Sequence, residues 1–550
     1  MPTPFDISDR LTESYADLSP ILATTYGLPG RDDRWDDLSP DGEAAKHELR
    51  VLARAELASQ LDHPDPVERF AAVVVDAYLE ELNRRYDSGH WKRDLNHSFS
   101  PFQRARDTFD LADMEGSEAW DNIVRRLSTF DQLLDGYRRS LQAGLDEGMA
   151  VARRQVESVA EQVQAVAGPE STFGEFATRA ATSGGNPEDV ETAAMHARDS
   201  CAAFADWLLT EYVPVAPEED AVGRERYLEG ADYFLGMDLD PEGTYEWGWD
   251  EVHRLREEMV STARQIDPDK TVVEVMQMLD TDPERSAPSG QPFVDFVQEI
   301  QNTAVEQLSG THFDVPEEIR KVTVNMAPAG VSLGAWYHPP SEDFSRPGSI
   351  WYAPGDRERI PFWQEVTTAY HEGFPGHHLQ VGFAKLQRER LSRFHRHFIW
   401  KSGSGEGWAL YAENLMDELG YFEISEYRLG LLSSQLFRAT RIVVDIGTQL
   451  EMRIPQGAPL HEGSAWDYDI AVDYIEKVGI NPRDVAVSEV KRYLGWVAQA
   501  ISYKVGEREI LDMRAEGMAR QGADFDRKDF HRRMLEAGSI RLDHLREVML

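Results

Sequence analysis

The chain of 550 residues is longer than the size at which one hydrophobic core normally stops growing, and 41% of its residues are hydrophobic. We therefore expect at least two lobes with a cleft between them and exclude a disordered protein. A net charge of -41, from 98 acidic and 57 basic residues, repels phosphate backbones and anionic lipid, which argues against nucleic acid as a partner.

The single cysteine, Cys201, excludes an internal disulfide and a thiolate cluster, so any metal must be bound by His and carboxylate side chains. The first residues, Met1 to Tyr15, contain no basic stretch followed by an apolar run, and no apolar segment of membrane-spanning length occurs. We expect a cytoplasmic protein without a membrane contact. The sequence leaves open whether the protein forms a homodimer.

The first half of the chain shows helical periodicity. From about Asp41 to Ile266 apolar residues return at helical spacing, as in Val67–Tyr86 and Trp120–Gln155. The sequence predicts a mostly helical N-terminal lobe over residues 1–310.

The pattern changes within residues 321–354, where Val322–Val324 and Ser349–Tyr352 are typical of short strands between Pro and Gly turns. Helical spacing resumes at about Phe362 and predicts helices at Gly405–Leu419, Tyr427–Met452, Ala498–Met518 and Arg527–Ala537. The sequence thus predicts a mainly α protein whose second lobe, residues 311–550, carries a small sheet. Both lobes together are expected to form one continuous domain.

A histidine cluster is the strongest chemical signal. Three of the 16 histidines, His371, His377 and His378, lie within eight positions, and Glu372 follows the first. Zinc peptidases with HExxH place two histidines one helical turn apart and use the intervening Glu as a base. The spacing here is different.

On a regular helix His377 lies roughly 240° around from His371, and His378 lies roughly 10 Å along the axis from it. Neither pair can share a metal on an unbroken helix. Pro375 and Gly376 favour a kink or bulge that brings two of these rings together, which leaves both His377 and His378 open as the second ligand.

The third ligand is expected to be Glu406, which follows a Gly/Ser stretch at the start of a predicted helix. Ser404 is the predicted N-cap, which places Glu406 in the first turn. Without the histidines, a first-turn carboxylate favoured by the helix dipole would be the better explanation of Glu406.

These segments resemble the domain-of-unknown-function 885 (DUF885) family, bacterial proteins of the gluzincin-like metallopeptidase clan. The resemblance covers nearly the whole chain and is carried by Ala23–Gly27, Ala335–Ser341, His371–Gln380, Glu406–Ala409, Arg438–Gly447, Arg492–Tyr493 and Ser502–Gly506. It implies a gluzincin-like fold with a small sheet beside the active-site helix, in which Ser349–Ala353 forms an edge that pairs with an extended peptide.

The chain also resembles, more distantly, the carboxypeptidase Taq family, whose HExGH motif matches here with two residues inserted after Glu372. That resemblance favours His377 over His378, because Gly376-His377 corresponds to its GH. It also supports Glu406 as a ligand and implies that Tyr503 stabilises the oxyanion.

The resemblance and the cluster together predict a zinc-dependent metallohydrolase that cleaves peptide bonds, as a peptidase or a carboxypeptidase-like enzyme. The metal would be bound by His371, His377 and Glu406, with Glu372 as the base and Tyr503 as the oxyanion donor. Second-shell or substrate-binding groups are expected at Arg441, Asp445, Arg492 and Lys504. Two alternatives are a metal hydrolase acting on a non-peptide amide or ester, and a binding or scaffold protein without turnover.

Overall fold

The computed structural model describes residues 2–327 and 334–550. These residues form two compact units, each built mainly of helices. The first unit comprises residues 1–221 with the returning segments 392–398 and 491–496, and the second comprises 222–391, 399–490 and 497–550. The predicted mainly α architecture with a small sheet is confirmed.

The helices before residue 221 are α1 Pro4–Leu18, α2 Pro20–Tyr26, α3 Pro40–Leu57, α4 Pro66–Asp87, α5 Pro101–Asp110, α6 Ser117–Ser128, α7 Phe130–Asp146, α8 Arg153–Ala167, α9 Thr172–Ser183 and α10 Pro187–Trp207. Those that begin with Pro use it at N1, where the missing N–H costs no helical hydrogen bond. The predicted helix at Val67–Tyr86 is confirmed as α4.

Trp120–Gln155 is not one helix but parts of α6, α7 and α8. Thr129 leaves the helical conformation between α6 and α7, and Gly148, at a φ of 74°, follows the end of α7. The apolar spacing continues across these breaks because α6, α7 and α8 all bury side chains in one core, which includes Trp120, Leu133 and Val159.

The later helices are α11 Arg224–Leu235, α12 Pro241–Ile266, α13 Val272–Thr281, α14 Gln291–Leu308, α15 Phe362–Glu372, α16 His377–Leu386, α17 Arg393–Phe398, α18 Ser402–Glu418, α19 Ser425–Gln449, α20 Tyr468–Asp473, α21 Arg483–Gly495, α22 Ser502–Gln521, α23 Arg527–Ala537 and α24 Leu542–Met549. Short 3-10 or π segments occur at His90–Lys92, Leu208–Tyr212, Val213–Val215, Pro283–Arg285, Glu317–Ile319, Tyr474–Val478 and Gly522–Asp524. In the described ranges, no helix has both the length and the apolarity needed to cross a membrane.

The strands are β1 Ser286–Pro288, β2 Val322–Met326, β3 Gly334–His338, β4 Gly348–Ala353 and β5 Arg359–Pro361. β1 pairs antiparallel with β5, and the other strands form a sheet of order β2-β4-β3 in which β4 is parallel to β2 and antiparallel to β3. The predicted strands are confirmed as β2 and β4. The expectation that Ser349–Ala353 is a sheet edge is wrong, because β2 and β3 already pair with both sides of β4.

The sheet packs on the helices that lead to the histidine segment. Val322, Val324 and Ile350 share a core with Phe293 of α14 and Ala369 of α15. This core fixes the position of α15, the helix that ends with His371 and Glu372.

Candidate metal centre

The histidine segment is a break between two helices. α15 ends at Glu372 and α16 begins at His377, so the chain turns within four residues. Gly376 is required at this turn, because a Cβ there would lie 2.0 Å from the carbonyl oxygen of His371. The rings of His371 and His377 lie with their centroids 4.8 Å apart and nearly perpendicular. A full break, rather than a kink within one helix, therefore places the two imidazoles side by side.

Two buried side chains satisfy the backbone groups that the break exposes. The Gln301 amide donates to the carbonyl of Ala369 at 2.7 Å and accepts from the backbone N–H of Phe374 at 2.7 Å. The Trp408 indole donates to the carbonyl of Pro375 at 2.9 Å. Because an unpaired buried peptide group is costly, these contacts stabilise the turn.

α18 carries the third candidate ligand. It begins at Ser402 with Lys401 as the N-cap, so the prediction of Ser404 as the N-cap is wrong, and Glu406 lies in the second turn. Ser404 instead donates its hydroxyl to the carbonyl of Lys401 inside the helix. α18 crosses α22 very closely, since a Cβ on Gly407 would lie 2.5 Å from the backbone of Gly506.

His371, His377 and Glu406 converge. Glu406 Oε2 lies 3.4 Å from His371 Nε2 and 3.5 Å from His377 Nε2, and the three ligand atoms lie within 4.8 Å of one another. Glu406 Oε2 is buried and forms no hydrogen bond with any residue that the structure describes. Two imidazoles and one carboxylate facing a common point form the donor set of a catalytic zinc site, so these residues fit such an ion.

Glu413, two turns after Glu406 on α18, orients the first ligand. His371 Nδ1 donates to its Oε1 at 2.7 Å, and Thr367 donates to its Oε2 at 2.6 Å. This fixes Nε2 of His371 as the atom that faces Glu406. His377 instead contacts Trp400 edge-on, with the ring centroids 5.8 Å apart.

The centre favours a positive charge among its carboxylates. Burial lowers the pKa of His371, but the neighbouring carboxylates of Glu406 and Glu413 more than offset this effect and raise it to about 9. Burial likewise opposes ionisation of Glu406, yet His371 and His377 hold its pKa well below the usual value. A cation is therefore stabilised between these groups, and either a proton or a metal ion supplies that charge.

His378 has a different environment. Its ring is completely buried, with Nδ1 3.1 Å from the Tyr337 hydroxyl and Nε2 2.8 Å from the carbonyl oxygen of Ile319. Burial lowers its pKa to about 4. Both ring nitrogens already have partners, so the geometry favours His377 as the second ligand.

Glu372 directly follows His371 in the chain, and Tyr503 lies beside the ring of His371. Burial raises the pKa of Glu372, while His371 and His377 oppose the shift, so this carboxyl group lies within their electrostatic reach. The Tyr503 ring is nearly parallel to that of His371 at 6.4 Å, and the Arg441 guanidinium lies over the tyrosine ring at 4.8 Å.

The other predicted second-shell groups differ in their surroundings. Arg441 pairs with Glu489 at 3.0 Å, so it is held by a carboxylate as well as by the Tyr503 ring. The buried Asp445 accepts from the Tyr227 hydroxyl at 2.9 Å. The ammonium group of Lys504 is buried and pairs with Glu507 and, at 3.2 Å, with Glu251. Arg492 belongs to the first unit, where its guanidinium lies over Tyr493.

Sequence reasoning missed Gln301 and the role of Glu413. The seven-residue spacing from Glu406 to Glu413 places both on one face of a helix, so the second carboxylate had a sequence signal. Gln301 had none, since it lies 70 positions before His371 and meets the turn only in the folded chain.

The comparisons with known proteins decide the family. A family model described as "Bacterial protein of unknown function (DUF885)" matches residues 20–549. The chain belongs to the DUF885 family. The search of the curated proteins finds no match for this DUF885 protein.

Two solved structures are similar to it. One is the putative lipoprotein from Colwellia psychrerythraea, which is 21% identical with a TM-score of 0.83 over 99% of this chain and 98% of that chain. The other is a putative lipoprotein of unknown function from Shewanella oneidensis, which is 17% identical with a TM-score of 0.74 over the whole of both chains. At these identities the similarity shows a shared fold.

Proposed function

We propose that this DUF885 protein is a zinc-dependent hydrolase that cleaves peptide bonds. The observation that carries the proposal is the convergence of His371 Nε2, His377 Nε2 and the buried, unbonded Oε2 of Glu406. The resemblance of the segment to gluzincin-like metallopeptidases, and of Glu406 and Tyr503 to the carboxypeptidase Taq motifs, supports the same reaction.

The three ligands and Glu372 have different proposed roles. His371, His377 and Glu406 hold the ion, which when bound acts as a Lewis acid and makes water acidic enough to react near neutral pH. Glu372 takes a proton from the attacking water and returns it to the leaving amine, and burial suits it to this role by raising its pKa above that of an exposed carboxyl group.

Tyr503 is proposed to donate a hydrogen bond to the oxyanion that develops on the carbonyl. Its ring contacts the ring of His371 and the guanidinium of Arg441, which is itself anchored by Glu489. A donor fixed in advance stabilises developing charge without reorganisation.

The test combines metal analysis with turnover on a mixed peptide library. We expect about one metal ion per chain in the wild type and in Glu372→Gln, and a loss of turnover in the variant of roughly 10²-fold or more, because the base is removed while the ligands stay. Glu406→Gln should lose the metal as well. Glu423→Gln, at an exposed position of the same unit, is the matched control and should behave as the wild type.

Equal turnover by the wild type and Glu372→Gln would remove this carboxylate from the mechanism. A stoichiometric metal without peptide cleavage, but with cleavage of acyl esters or other amides, would move the proposal to a non-peptide hydrolase. The absence of bound metal after loading with zinc would leave a binding or scaffold protein.

A further inference from the structure

A pocket of about 220 Å³ lies beside α15, within the second unit. Glu365 and Thr368 of α15 line one wall, and Arg438 of α19 and Tyr352 of β4 line others. Glu372 follows Thr368 by one helical turn, so the pocket runs along the face of α15 that carries the proposed base.

Close packing of the two helices shapes the pocket. α19 approaches the start of α15 at Gly430, where a Cβ would lie 1.8 Å from the carbonyl oxygen of Trp363. Gly430 itself lines the pocket. The distance between the walls formed by α15 and α19 is therefore set by a close backbone contact.

Two donors in the walls have no acceptor among the residues that the structure describes. The Tyr352 side chain is 4% exposed, and within the described ranges its hydroxyl has no hydrogen-bond partner. The same is true of Arg438 Nε, although the Nη1 of that guanidinium donates to the backbone oxygen of Ser434 at 3.3 Å. Buried donors normally have partners, so these two point to a ligand that supplies oxygen acceptors.

The charges of the pocket select the kind of acceptor. Arg438 and Arg357 both line it, and among the described lining residues Glu365 carries the one carboxyl group. Burial raises the pKa of Glu365 to about 7, so near neutral pH it opposes an anion only in part. In a protein with a net charge of -41, a pocket with this excess of guanidinium groups is suited to an anion.

We infer that this pocket binds a carboxylate of the substrate, next to the bond that is cleaved. A guanidinium and a phenol hydroxyl together suit a carboxylate, which accepts several hydrogen bonds. The group is either the terminal carboxylate of a peptide or the side chain of an Asp or Glu residue. That the ligand is a substrate rests on the proposed function. The affinity of the pocket for a carboxylate does not, because it is measured without turnover.

The experiment is calorimetric titration of zinc-loaded Glu372→Gln protein, which does not consume the ligand. The probes are N-acetyl-Ala-Ala with a free carboxylate, its carboxamide, and N-acetyl-Ala-Glu carboxamide. At least one carboxylate probe should bind roughly tenfold or more tightly than the uncharged carboxamide, since only a carboxylate forms a charge-assisted hydrogen bond with both partners ionised. Comparison of the two carboxylate probes distinguishes the terminal from the side-chain source.

Arg438→Gln, added to this protein, should abolish the preference for a carboxylate, and Tyr352→Phe should weaken it several-fold. Arg428→Gln, on the same helix but outside the lining, is the matched control and should keep the preference. Thermal unfolding and metal content verify that each variant is folded and loaded. If Arg438→Gln does not fold, Arg357→Gln and Tyr352→Phe decide instead.

Equal binding of the carboxamide, no binding of any probe, or an unchanged preference after Arg438→Gln would overturn the inference. Turnover of the same peptides by the wild type separates this inference from the proposed function. Selective binding together with no turnover of these probes or of the mixed peptide library refutes peptide hydrolysis and keeps the pocket, whereas turnover without selectivity refutes the pocket alone.

Discussion

Replacing Glu413 by Gln tests how far the centre depends on the carboxylate behind His371. Glu413 is completely buried and accepts from His371 Nδ1 at 2.7 Å and from Thr367 at 2.6 Å. Gln keeps the volume and one oxygen acceptor for His371, and its amide group can donate to the Thr367 hydroxyl. The geometry is thus preserved, and the charge is the main property that is lost.

The charge matters because it makes His371 a better ligand. Burial alone would raise the pKa of Glu413, but the charge of Arg438 and the hydrogen bonds from His371 and Thr367 hold it below its usual value, so this group is an anion in the folded protein. Loss of such an outer carboxylate typically weakens metal binding 10- to 100-fold, which corresponds to about 1.4 to 2.8 kcal/mol. We expect this loss for Glu413→Gln and a larger one for Glu413→Ala, which also leaves a cavity and an unpaired Nδ1.

The assay is competition for zinc between the protein and a chromophoric chelator of known affinity. Glu418→Gln is the control on the same helix, because that carboxylate is about one-third exposed and pairs with Arg514. It should bind zinc as tightly as the wild type. A zinc affinity of folded Glu413→Gln within about threefold of the wild type, below the range expected for an outer carboxylate, would refute the role assigned to Glu413.

Three further outcomes are expected. Gly407→Ala should lower the free energy of unfolding by about 1 to 3 kcal/mol in denaturant titration, because the added Cβ would lie 2.5 Å from the backbone of Gly506. An unchanged unfolding midpoint contradicts this close crossing of α18 and α22. His378→Leu should lower thermal stability but keep stoichiometric zinc, since both ring nitrogens of His378 already have hydrogen-bond partners in the protein. Loss of zinc with an intact fold would make His378 a ligand. Burial lowers the pKa of His531 from 6.5 to about 4, so the unfolded chain binds the proton more readily and the folded protein should lose stability as pH falls from 6.5 toward 4. In unfolding experiments, His531→Gln should reduce the dependence of the free energy of unfolding on pH in this range. An equally steep dependence in the variant contradicts this role of His531.

The amino-acid sequence determined the helical class, the small sheet and the identity of the chemical groups. Helical spacing placed α4 and α23 within a residue or two of their observed ends, because amphipathic periodicity is a local property of the chain. It placed Trp120–Gln155 in one continuous pattern, because successive helices that bury one common core continue the same spacing. The histidine cluster and Glu406 were recognised by residue type, since few side chains bind a metal.

The tertiary structure decided how those groups meet. The choice between His377 and His378 depends on the turn at Gly376, which Gln301 and Trp408 stabilise from distant positions of the chain. The approach of Glu406 depends on the glycine contact between α18 and α22. Long-range contacts of this kind leave no periodic signal, because they are set by packing between elements and not by the conformation of either one.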